Sequence, residues 1–385
     1  MTDWPTVRLS DVCTVTAGGT PSRANHEYFV GDIPWVKIGD MLQGVVTETE
    51  ESITPSAVQN SAAKLLPAGT VLISIFATIG RTAVLGVPAT TNQAIAGLTP
   101  HNTEELSPTF LRRWLDSLVR TLEGRARGVA QVNVNSGILR ALEIPLPPID
   151  EQRRIAAILD QADTLRAKRR EALAHLDDLT HSIFLDMFGD PVTNPLGWPV
   201  TTLTHLGQLD RGVSRHRPRN DPSLLGGRHP LVQTGEVANS GGYIRSYTST
   251  YSDLGLAQSK TWPAGTLCIT IAANIAKTGI LTFDSCFPDS VVGFTSDKET
   301  TQYVRVWLGF LQGTLERSAP QSAQKNINLA ILRNLPVPKP PAEIIEEFAG
   351  HLERLEEAKN LAAADAQVLN GLFTSLQSRA FAGEL

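Results

Sequence analysis

The segment PAGTVLISI at positions 67–75 is repeated as PAGTLCITI at positions 263–271, an offset of 196 residues. Two further pairs of segments keep this offset, namely PWVKIGDM (34–41) with PLVQTGEV (230–237) and TIGRTAVL (78–85) with NIAKTGIL (274–281). Two later pairs are related by an offset of 193, namely AQVNVN (130–135) with AQKNIN (323–328) and IPLPP (144–148) with VPKPP (337–341). This repeat predicts two copies of one structural module, and a three-residue deletion between the blocks accounts for the change of offset.

Each copy begins with a long stretch rich in Gly, Pro, Thr and Ser, which contains short apolar runs such as 71–75 and 267–271. Apolar runs of this length between turn residues predict β-strands. An amphipathic helix is predicted near 110–122 in the first copy and near 303–315 in the second. Each copy is therefore expected to contain a globular domain with both sheet and helix.

A long helix is predicted at the end of each copy. After the proline clusters at 145–148 and 336–341, both copies become rich in Ala, Leu, Glu and Arg and contain no internal proline. Proline is tolerated just before a helix, so the clusters mark helix starts. Apolar residues then recur at alternating steps of three and four, which indicates coiled-coil packing. The two helices are expected to pair antiparallel, as a spacer of about 57 Å for about 38 residues; the alternative is that each packs on its own domain.

Both apolar seams contain a basic residue near mid-helix, Arg169 in the first helix and Lys359 in the second. Two like charges buried together would be costly, so each side chain is expected to extend to solvent or to pair with a carboxylate.

The predicted fold class is α+β, with two pseudo-symmetric, β-rich mixed globular domains separated by two long antiparallel coiled-coil helices. The predicted segments are a first domain (1–148), a first helical region (149–189), a second domain (190–341) and a second helical region (342–385).

Charge is unevenly distributed along the 385 residues, whose net charge is -5. Positions 342–385 hold eight acidic and three basic residues, which accounts for the whole net charge. Two basic zones lie elsewhere, with six arginines at 110–140 and five at 198–230. Such zones are suited to phosphate binding, although ordinary solvated surface arginines remain the alternative.

Motifs of catalysis and metal binding are missing from the sequence. The three cysteines form no CxxC pair, the histidines show no HxxxH or HExxH spacing, and no GxxxxGK[ST] phosphate loop occurs. The Asn/Asp-Pro-Pro-aromatic signature of adenine methyltransferases is also missing. We therefore expect a non-catalytic chain with no metal site and with free, buried thiols. The N-terminal sequence does not resemble a secretion signal and no apolar run is long enough to span a membrane, so a cytoplasmic location is expected.

Several motifs together carry a family resemblance. They are GGTPSR (18–23), IPWVKIGD (33–40), the AQxNxN block before each proline cluster, and LPPIDEQRRIAAILDQAD (146–163). With the alternation of domain and helix, they make the chain similar to the specificity subunit of type I restriction-modification systems over essentially its whole length. The resemblance implies two target-recognition domains that bind a bipartite double-stranded DNA target, whose spacing the helices set.

The resemblance also implies partner proteins, namely two methylation subunits and restriction subunits. S-adenosylmethionine and ATP with Mg would be bound by those subunits and not by this chain. Docking of partners is assigned by the resemblance to Glu151, Gln152 and Arg153. The second helix begins with PAEIIEEF in place of PIDEQRRI, so the Glu-Gln pair has no counterpart there.

The repeat also sorts candidate DNA contacts. If the two half-sites differ, residues shared by both copies cannot specify either one, so shared residues are expected to contact phosphate or fix loops, and unshared residues to contact bases. The predicted base contacts are Thr20, Ser22, Arg23, Asn25, Gln43, Arg215, His216, Arg217, Arg219, Tyr243 and Arg245. The predicted phosphate-contacting or loop-fixing residues are Arg81, Gln131, Asn133, Asn135, Lys277, Gln324, Asn326 and Asn328.

Two alternative functions remain open from the sequence. One is a coiled-coil assembly protein whose two modules bind protein partners. The other is a specificity module of a methylation-only or phage-defence system.

Overall fold

A computed structural model describes residues 4–76, 78–119, 134–216, 218–272, 275–318 and 327–385. The chain divides into two compact units, unit 1 (Met1–Arg170 with Ala364–Leu385) and unit 2 (Glu171–Ala363). Each unit therefore combines one domain with the beginning of one long helix and the end of the other.

In its described residues, unit 1 is built on three sheets and several short helices. Its described strands are β1 (Thr6–Arg8), β2 (Cys13–Ala17), β3 (Ile33–Val36), β4 (Val45–Val46), β5 (Ser52–Ile53), β6 (Val71–Ser74), β7 (Thr82–Leu85), β8 (Thr90–Thr91), β9 (Ile95–Pro100) and β10 (Glu143–Pro145). Its described helices are α1 (Leu9–Val12), α2 (Pro55–Gln59), α3 (Pro108–Ser117), α4 (Ser136–Arg140) and the first part of α5 (Ile149–Phe188). These strands pair in the orders β2-β9-β6-β7-β4, β5-β3-β8 and β1-β10.

Unit 2 repeats this plan. Its described strands are β11 (Val200–Thr202), β12 (Gln208–Arg211), β13 (Leu225–Leu231), β14 (Tyr243–Ile244), β15 (Ser249–Tyr251), β16 (Thr261–Trp262), β17 (Leu267–Thr270), β18 (Thr278–Leu281), β19 (Ser285–Cys286), β20 (Val291–Thr295) and β21 (Pro336–Pro338). Its described helices are α6 (Leu203–Leu206), α7 (Thr234–Ala238), α8 (Asp253–Ala257), α9 (Lys298–Ser318), α10 (Leu329–Arg333) and the first part of α11 (Ala342–Phe381). The strand orders are β12-β20-β17-β18-β14, β15-β13-β19-β16 and β11-β21.

The strand orders of the two units correspond element by element. The additional strand β16 pairs Trp262 with Ser285, and the residues 196 positions earlier, Leu66 and Ala89, form an isolated bridge in unit 1. The internal repeat in the sequence is therefore a repeat of topology as well.

The central strand of each larger sheet is apolar along its whole length because both of its faces are buried. In β6, Val71 and Ile73 belong to a core cluster shared with α3 and the long helices, whereas Leu72 belongs to the core under the smaller sheet. Successive side chains on a strand point to opposite faces, so a strand covered on both sides needs a continuous apolar run. The segment PAGTVLISI therefore forms the central strand of the first unit.

Each long helix contributes its two ends to different units. In unit 1, Phe373 and Ala380 of α11 pack in the same core as Ile155 and Leu159 of α5. In unit 2, Phe184 of α5 packs in the core that contains part of α11. The alternative in which each helix packs only on its own domain is therefore wrong.

Within each unit the helix segments run antiparallel. In unit 1, Arg166 Nε of α5 donates to Asn370 Oδ1 of α11 over 2.7 Å, and three residues later Arg169 pairs with Asp365 over 2.5 Å. In unit 2, Lys359 of α11 pairs with Asp177 of α5 over 2.9 Å. Arg169 and Lys359 thus each pair with a carboxylate, as expected from the sequence. The predicted α+β fold with paired helices is also confirmed.

Candidate nucleic-acid interface

The loop between β2 and β3, the first loop of unit 1, begins at the glycine pair in GGTPSR. The amides of Gly18 and Gly19 donate to the carbonyl oxygens of Ile95 and Thr91, both over 2.9 Å. A Cβ atom at Gly18 would lie 2.0 Å from the carbonyl oxygen of Asn92, so this close approach of two backbones requires glycine. The pair thus fixes the start of the loop against the sheet.

Four of the predicted base contacts, Thr20, Ser22, Arg23 and Asn25, lie on this loop between β2 and β3. Thr20 Oγ1 donates to Gln93 Oε1. Asn25 Oδ1 accepts the amide of Glu27 over 3.2 Å and caps a 3-10 turn, so its carbonyl group is engaged in the loop itself. Ser22 is exposed.

Arg23 is held on two sides while remaining about half exposed. Its Nη1 lies 2.7 Å from Glu51 Oε2, with 54 % of the arginine side chain and 28 % of the glutamate side chain accessible. Its guanidinium carbon lies 4.2 Å from the centroid of the Phe29 ring and 5.0 Å from that of Trp35. Ion pairing and cation–π contact together fix the orientation of the guanidinium.

The corresponding loop of unit 2 carries Arg215, His216 and Arg219, whereas Arg217 lies outside the described residues. The amides of Arg215 and His216 donate to Gln258 Oε1 over 2.6 and 3.0 Å, which anchors the backbone and leaves the Arg215 side chain exposed. His216 Nε2 lies 3.4 Å from Asp221 Oδ2.

The side chain of Arg219 forms an ion pair with Asp289. Asp289 stands 196 positions after Gln93, the partner of Thr20 in unit 1. Gln93 and Asp289 therefore occupy the same position of the repeat, and each contacts a polar residue of the first loop in its own unit. The two contacting pairs consist of different residues.

The remaining base-contact candidates divide between two environments. Gln43 is exposed at a cleft of about 470 Å³ that is also lined by Arg81. Arg245 instead forms an ion pair with Glu356 of α11 within unit 2, and its guanidinium carbon lies 5.1 Å from the ring centroid of Tyr243. Arg245 and Tyr243 therefore lie beside α11.

Arg81 and Lys277, the basic residues shared by the two copies, occupy equivalent positions in the two units. Arg81 and Lys277 end the loops after β6 and β17, and their amides donate to Ser74 Oγ over 2.9 Å and Thr270 Oγ1 over 3.1 Å. Both side chains are half-buried. In unit 2 the preceding residue, Ala276, has φ 56°, a conformation that costs energy for a residue with a Cβ and is often associated with functional loops.

The shared asparagines that the structure describes are helix caps. Asn135 Oδ1 accepts the amide of Ile138 over 2.9 Å, and Asn328 Oδ1 accepts that of Ile331 over 2.8 Å. Both side-chain oxygens are thus engaged in fixing the loop before a short helix. The other predicted residues of these blocks, Gln131, Asn133, Gln324 and Asn326, lie outside the described residues.

The described arginines of the first basic zone are engaged within unit 1. Arg112 Nη1 donates to the carbonyl of Gly44 over 3.1 Å, and Arg140 Nη2 donates to that of Val15 over 3.2 Å. Arg113 is 6 % exposed and is surrounded by carboxylates. These three arginines stabilise the domain, and a run of arginines in the sequence does not by itself locate a phosphate-binding surface.

Among the predicted docking residues, Gln152 differs from its neighbours. Its side chain is fully buried, with Oε1 accepting the amide of Ser107 over 2.9 Å. Its Nε2 donates to the carbonyls of Glu105 and Pro147, each over 2.8 Å. The Gln152 amide is thus used by its own chain to fix the start of α5 against the start of α3.

Glu151 and Arg153 present side chains that are partly exposed. Arg153 Nη2 lies 3.1 Å from Glu104, and 53 % of its side chain is accessible. Glu151 pairs with Arg154 over 2.7 Å. The hydrogen bond from Arg154 lowers the pKa of Glu151, so this carboxylate stays charged. Both residues remain candidates for partner contact.

Sequence reasoning missed a pair of carboxylates that connects each domain to its helix. Arg113 of α3 lies 2.6 Å from Asp160 and 3.1 Å from Asp163 of α5, and Asp116 lies 3.4 Å away on its other side. Burial raises the pKa of Asp116, in opposition to its hydrogen bond from Thr82.

In unit 2 the equivalent carboxylates, 193 positions later, are Glu353 and Glu356. They pair with Lys298 of α9, over 2.5 Å, and with Arg245 next to β14. The helix positions are thus preserved while their cationic partners come from other elements. The signal was present in the sequence as acidic residues three apart in both repeats.

The three cysteines are free and buried, which confirms that prediction. Burial raises the pKa of the Cys13 thiol to about 12. Within the described ranges, no cluster of three His, Cys, Asp or Glu side chains is arranged to hold a metal ion. No helix in the described part of the chain has the length and apolar character needed to cross a membrane.

Two copies of one sheet-rich domain, each followed by a long helix and each with a different polar first loop, define a duplicated-domain protein. The chain belongs to the family described as the type I restriction modification DNA specificity domain, whose model matches residues 1–175 and 195–369.

Individual relatives agree with this family. The chain is 27 % identical over 252 residues to the type I restriction enzyme MjaIX specificity subunit of Methanocaldococcus jannaschii, a match that covers 60 % of this chain and 57 % of the relative. It is 34 % identical over 178 residues to the EcoR124I/EcoR124II specificity subunit of Escherichia coli, a match that covers 44 % of this chain and 43 % of the relative. The chain thus spans about half the length of these curated relatives.

Solved structures share the fold over nearly the whole chain. One, from a study of complex assembly and conformational transition of the type I R-M system, has a TM-score of 0.65 at 20 % identity and covers 99 % of this chain and 98 % of its own. The type I restriction-modification system S subunit from M. genitalium has a TM-score of 0.58 at 14 % identity and covers 98 % and 96 %. At these identities the likeness concerns the fold.

Proposed function

We propose that this chain is the sequence-specific DNA-recognition subunit of a type I restriction-modification complex, in which each unit binds one part of a bipartite target. The observation that carries the proposal is the contrast between shared and unshared features of the two units. Their topology and helix caps agree, whereas Gln93 accepts a hydrogen bond from Thr20 in one unit, and Asp289, 196 positions later, pairs with Arg219, the counterpart of Arg23, in the other. Duplicated scaffolds with different polar loops suit a target with two unlike half-sites.

The chain itself is proposed to be non-catalytic. Two methylation subunits and restriction subunits are the proposed partners, with S-adenosylmethionine and ATP with Mg bound by them. The exposed side chain of Arg153 and the partly exposed side chain of Glu151, at the start of α5, are candidates for docking the partners, with Gln152 supporting them from within the domain.

Selection from a pool of DNA duplexes with randomised positions tests the proposal. The full chain, with the methylation subunits of the proposed complex, should enrich a motif of two short fixed sequences separated by unread base pairs. Affinity should also fall as salt rises, with a slope that reports the number of phosphates contacted. Enrichment of no motif, with affinity independent of salt, would favour the assembly protein.

Mapping methylated adenines in cells with and without the gene tests the proposed partners. The motif enriched in the selection should be methylated only when the gene is present. Methylation of that motif without cleavage of foreign DNA would instead assign the chain to a methylation-only system.

A further inference from the structure

The environment of Arg23 differs from that of a simple surface arginine. The aromatic platform beneath it is rigid, because Trp35 is 2 % exposed and its Nε1 donates to the carbonyl of Gly19 over 3.0 Å. Phe29 packs edge-to-face on Trp35 with ring centroids 5.7 Å apart. The guanidinium that lies over these rings has therefore already lost much of its rotational freedom before any ligand arrives.

The two cations of the cluster around Arg23 are compensated by carboxylates. Lys37 Nζ lies 2.9 Å from Glu51 and 2.5 Å from Glu50, so Arg23 and Lys37 face two carboxylates. The hydrogen bond from Arg23 is the largest of the effects that lower the pKa of Glu51, and the carboxylate therefore remains ionised at neutral pH. A cluster with no net charge attracts phosphates weakly, because non-specific binding depends on uncompensated cations.

The contact with Glu51 uses Nη1, the outer edge of the guanidinium. The Nε–H and one Nη2–H remain as a parallel pair of donors on a side chain that is 54 % exposed. Guanine presents two acceptors, O6 and N7, in the major groove, and a bidentate arginine is the side chain that best matches them.

We propose that Glu51 is a positioning residue that holds Arg23 for bidentate recognition of a guanine in the half-site bound by unit 1, and that it keeps Arg23 from acting as a phosphate contact. Arg219 stands 196 positions after Arg23, so the arginine itself is shared by the two units. Its partner is Asp289 and not the residue at the position of Glu51, so the positioning carboxylate, and not the arginine, distinguishes the units. The proposal rests on the proposed function and adds to it the base type and the residue that orients the contact.

Glu50 provides a matched control. It is adjacent to Glu51, is 76 % exposed, and also pairs with Lys37, but among its described ion pairs none is with Arg23. Glu51→Gln and Glu50→Gln therefore remove the same charge from the same cluster, and only the first replaces the carboxylate that pairs with Arg23 by a neutral amide. Arg23→Lys keeps the positive charge and removes the parallel pair of N–H donors.

The experiment is selection from a randomised duplex pool with the full chain and its methylation subunits, followed by titration on the enriched duplex and on an unrelated one. With Glu51→Gln, preference for guanine at one position should fall about tenfold, while the other half-site is unchanged. Affinity for unrelated DNA should rise and its salt slope should steepen by about one, because a compensating charge is gone. Glu50→Gln should steepen the slope and keep the guanine preference, and Arg23→Lys should lose the preference.

Three results would overturn the inference while leaving the proposed function intact. They are an unchanged guanine preference in Glu51→Gln, an equal loss of preference in Glu50→Gln, or a retained preference in Arg23→Lys. A loss of recognition at both half-sites would indicate that a variant is misfolded. Arg23→Lys changes a half-exposed side chain, so its guanine preference then tests the inference. If the unsubstituted chain enriches no motif, the proposed function fails and the inference fails with it.

Discussion

Replacing Gln152 by isoleucine tests whether the start of α5 is held by polar contacts. Isoleucine is the residue found 193 positions later, as Ile345, so comparison of the repeats alone suggests a tolerated change. In unit 1, however, the side chain of Gln152 satisfies the amide of Ser107 and the carbonyls of Glu105 and Pro147. Gln152→Ile leaves these three groups without their partner, and the contacts of Ser107 and Pro147 are buried.

The expected cost follows from these contacts. Each hydrogen bond contributes about 1 kcal/mol net, and a buried group left without a partner retains its desolvation penalty. We expect the free energy of unfolding of unit 1 to fall by about 3 kcal/mol and its Tm to fall by about 6–12 °C for a unit of this size.

Denaturant and thermal unfolding of the full chain measure this loss, and hydrogen exchange at the Ser107 amide locates it. Arg153→Ala is the control, because its ion pair with Glu104 is exposed and surface pairs contribute about 0–1 kcal/mol. A loss below about 1 kcal/mol for Gln152→Ile, with the Ser107 amide still protected, would refute the reasoning.

Three other substitutions probe the contact between α3 and α5 in unit 1 and the ion pair of Arg219 in unit 2. Arg113→Met should lower the free energy of unfolding by about 3–5 kcal/mol, because Asp116 and Asp163 lose a buried cation; a denaturant titration that shows under about 1 kcal/mol would contradict this. Burial raises the folded-state pKa of Asp116, so the folded chain binds this proton more tightly, and stability should fall as pH rises from the ordinary carboxyl pKa through the raised one. Asp116→Asn should remove that pH dependence in unfolding measured across a pH series, and an unchanged profile would count against the burial argument. Asp289→Asn should alter base preference only in the half-site bound by unit 2, because it frees Arg219; a duplex selection that changed in both half-sites would exclude this role.

Much of the fold follows from local patterns in the sequence. The repeat predicted two like domains, and the apolar runs at 71–75 and 267–271 correspond to the central strands β6 and β17. The spacing of apolar residues predicted long paired helices. These features depend on residues close together in the chain, where periodicity reports directly which side chains share a face.

The site was less accessible from the sequence. Arg23 was singled out by its position, but its partner Glu51 was not, because the two residues meet only when β5 pairs beside the first loop. Arg112 and Arg113 were counted in a basic zone and instead fix α3 within unit 1. The presence of an arginine in the sequence does not reveal whether its side chain binds DNA or a carboxylate of the same chain.

By itself the sequence determined that the chain carries two copies of one α+β module, each followed by a long amphipathic helix, because repetition and spacing are properties of the linear chain. Only the tertiary structure decided that each helix ends in the core of the other unit, as Phe373 and Phe184 show, and that Gln152 is buried. Those outcomes depend on which distant surfaces exclude water together. The hydrophobic effect depends on the apolar area removed from water and not on distance along the sequence. Contacts between residues far apart in sequence are therefore determined by tertiary packing, and local sequence patterns do not reveal them.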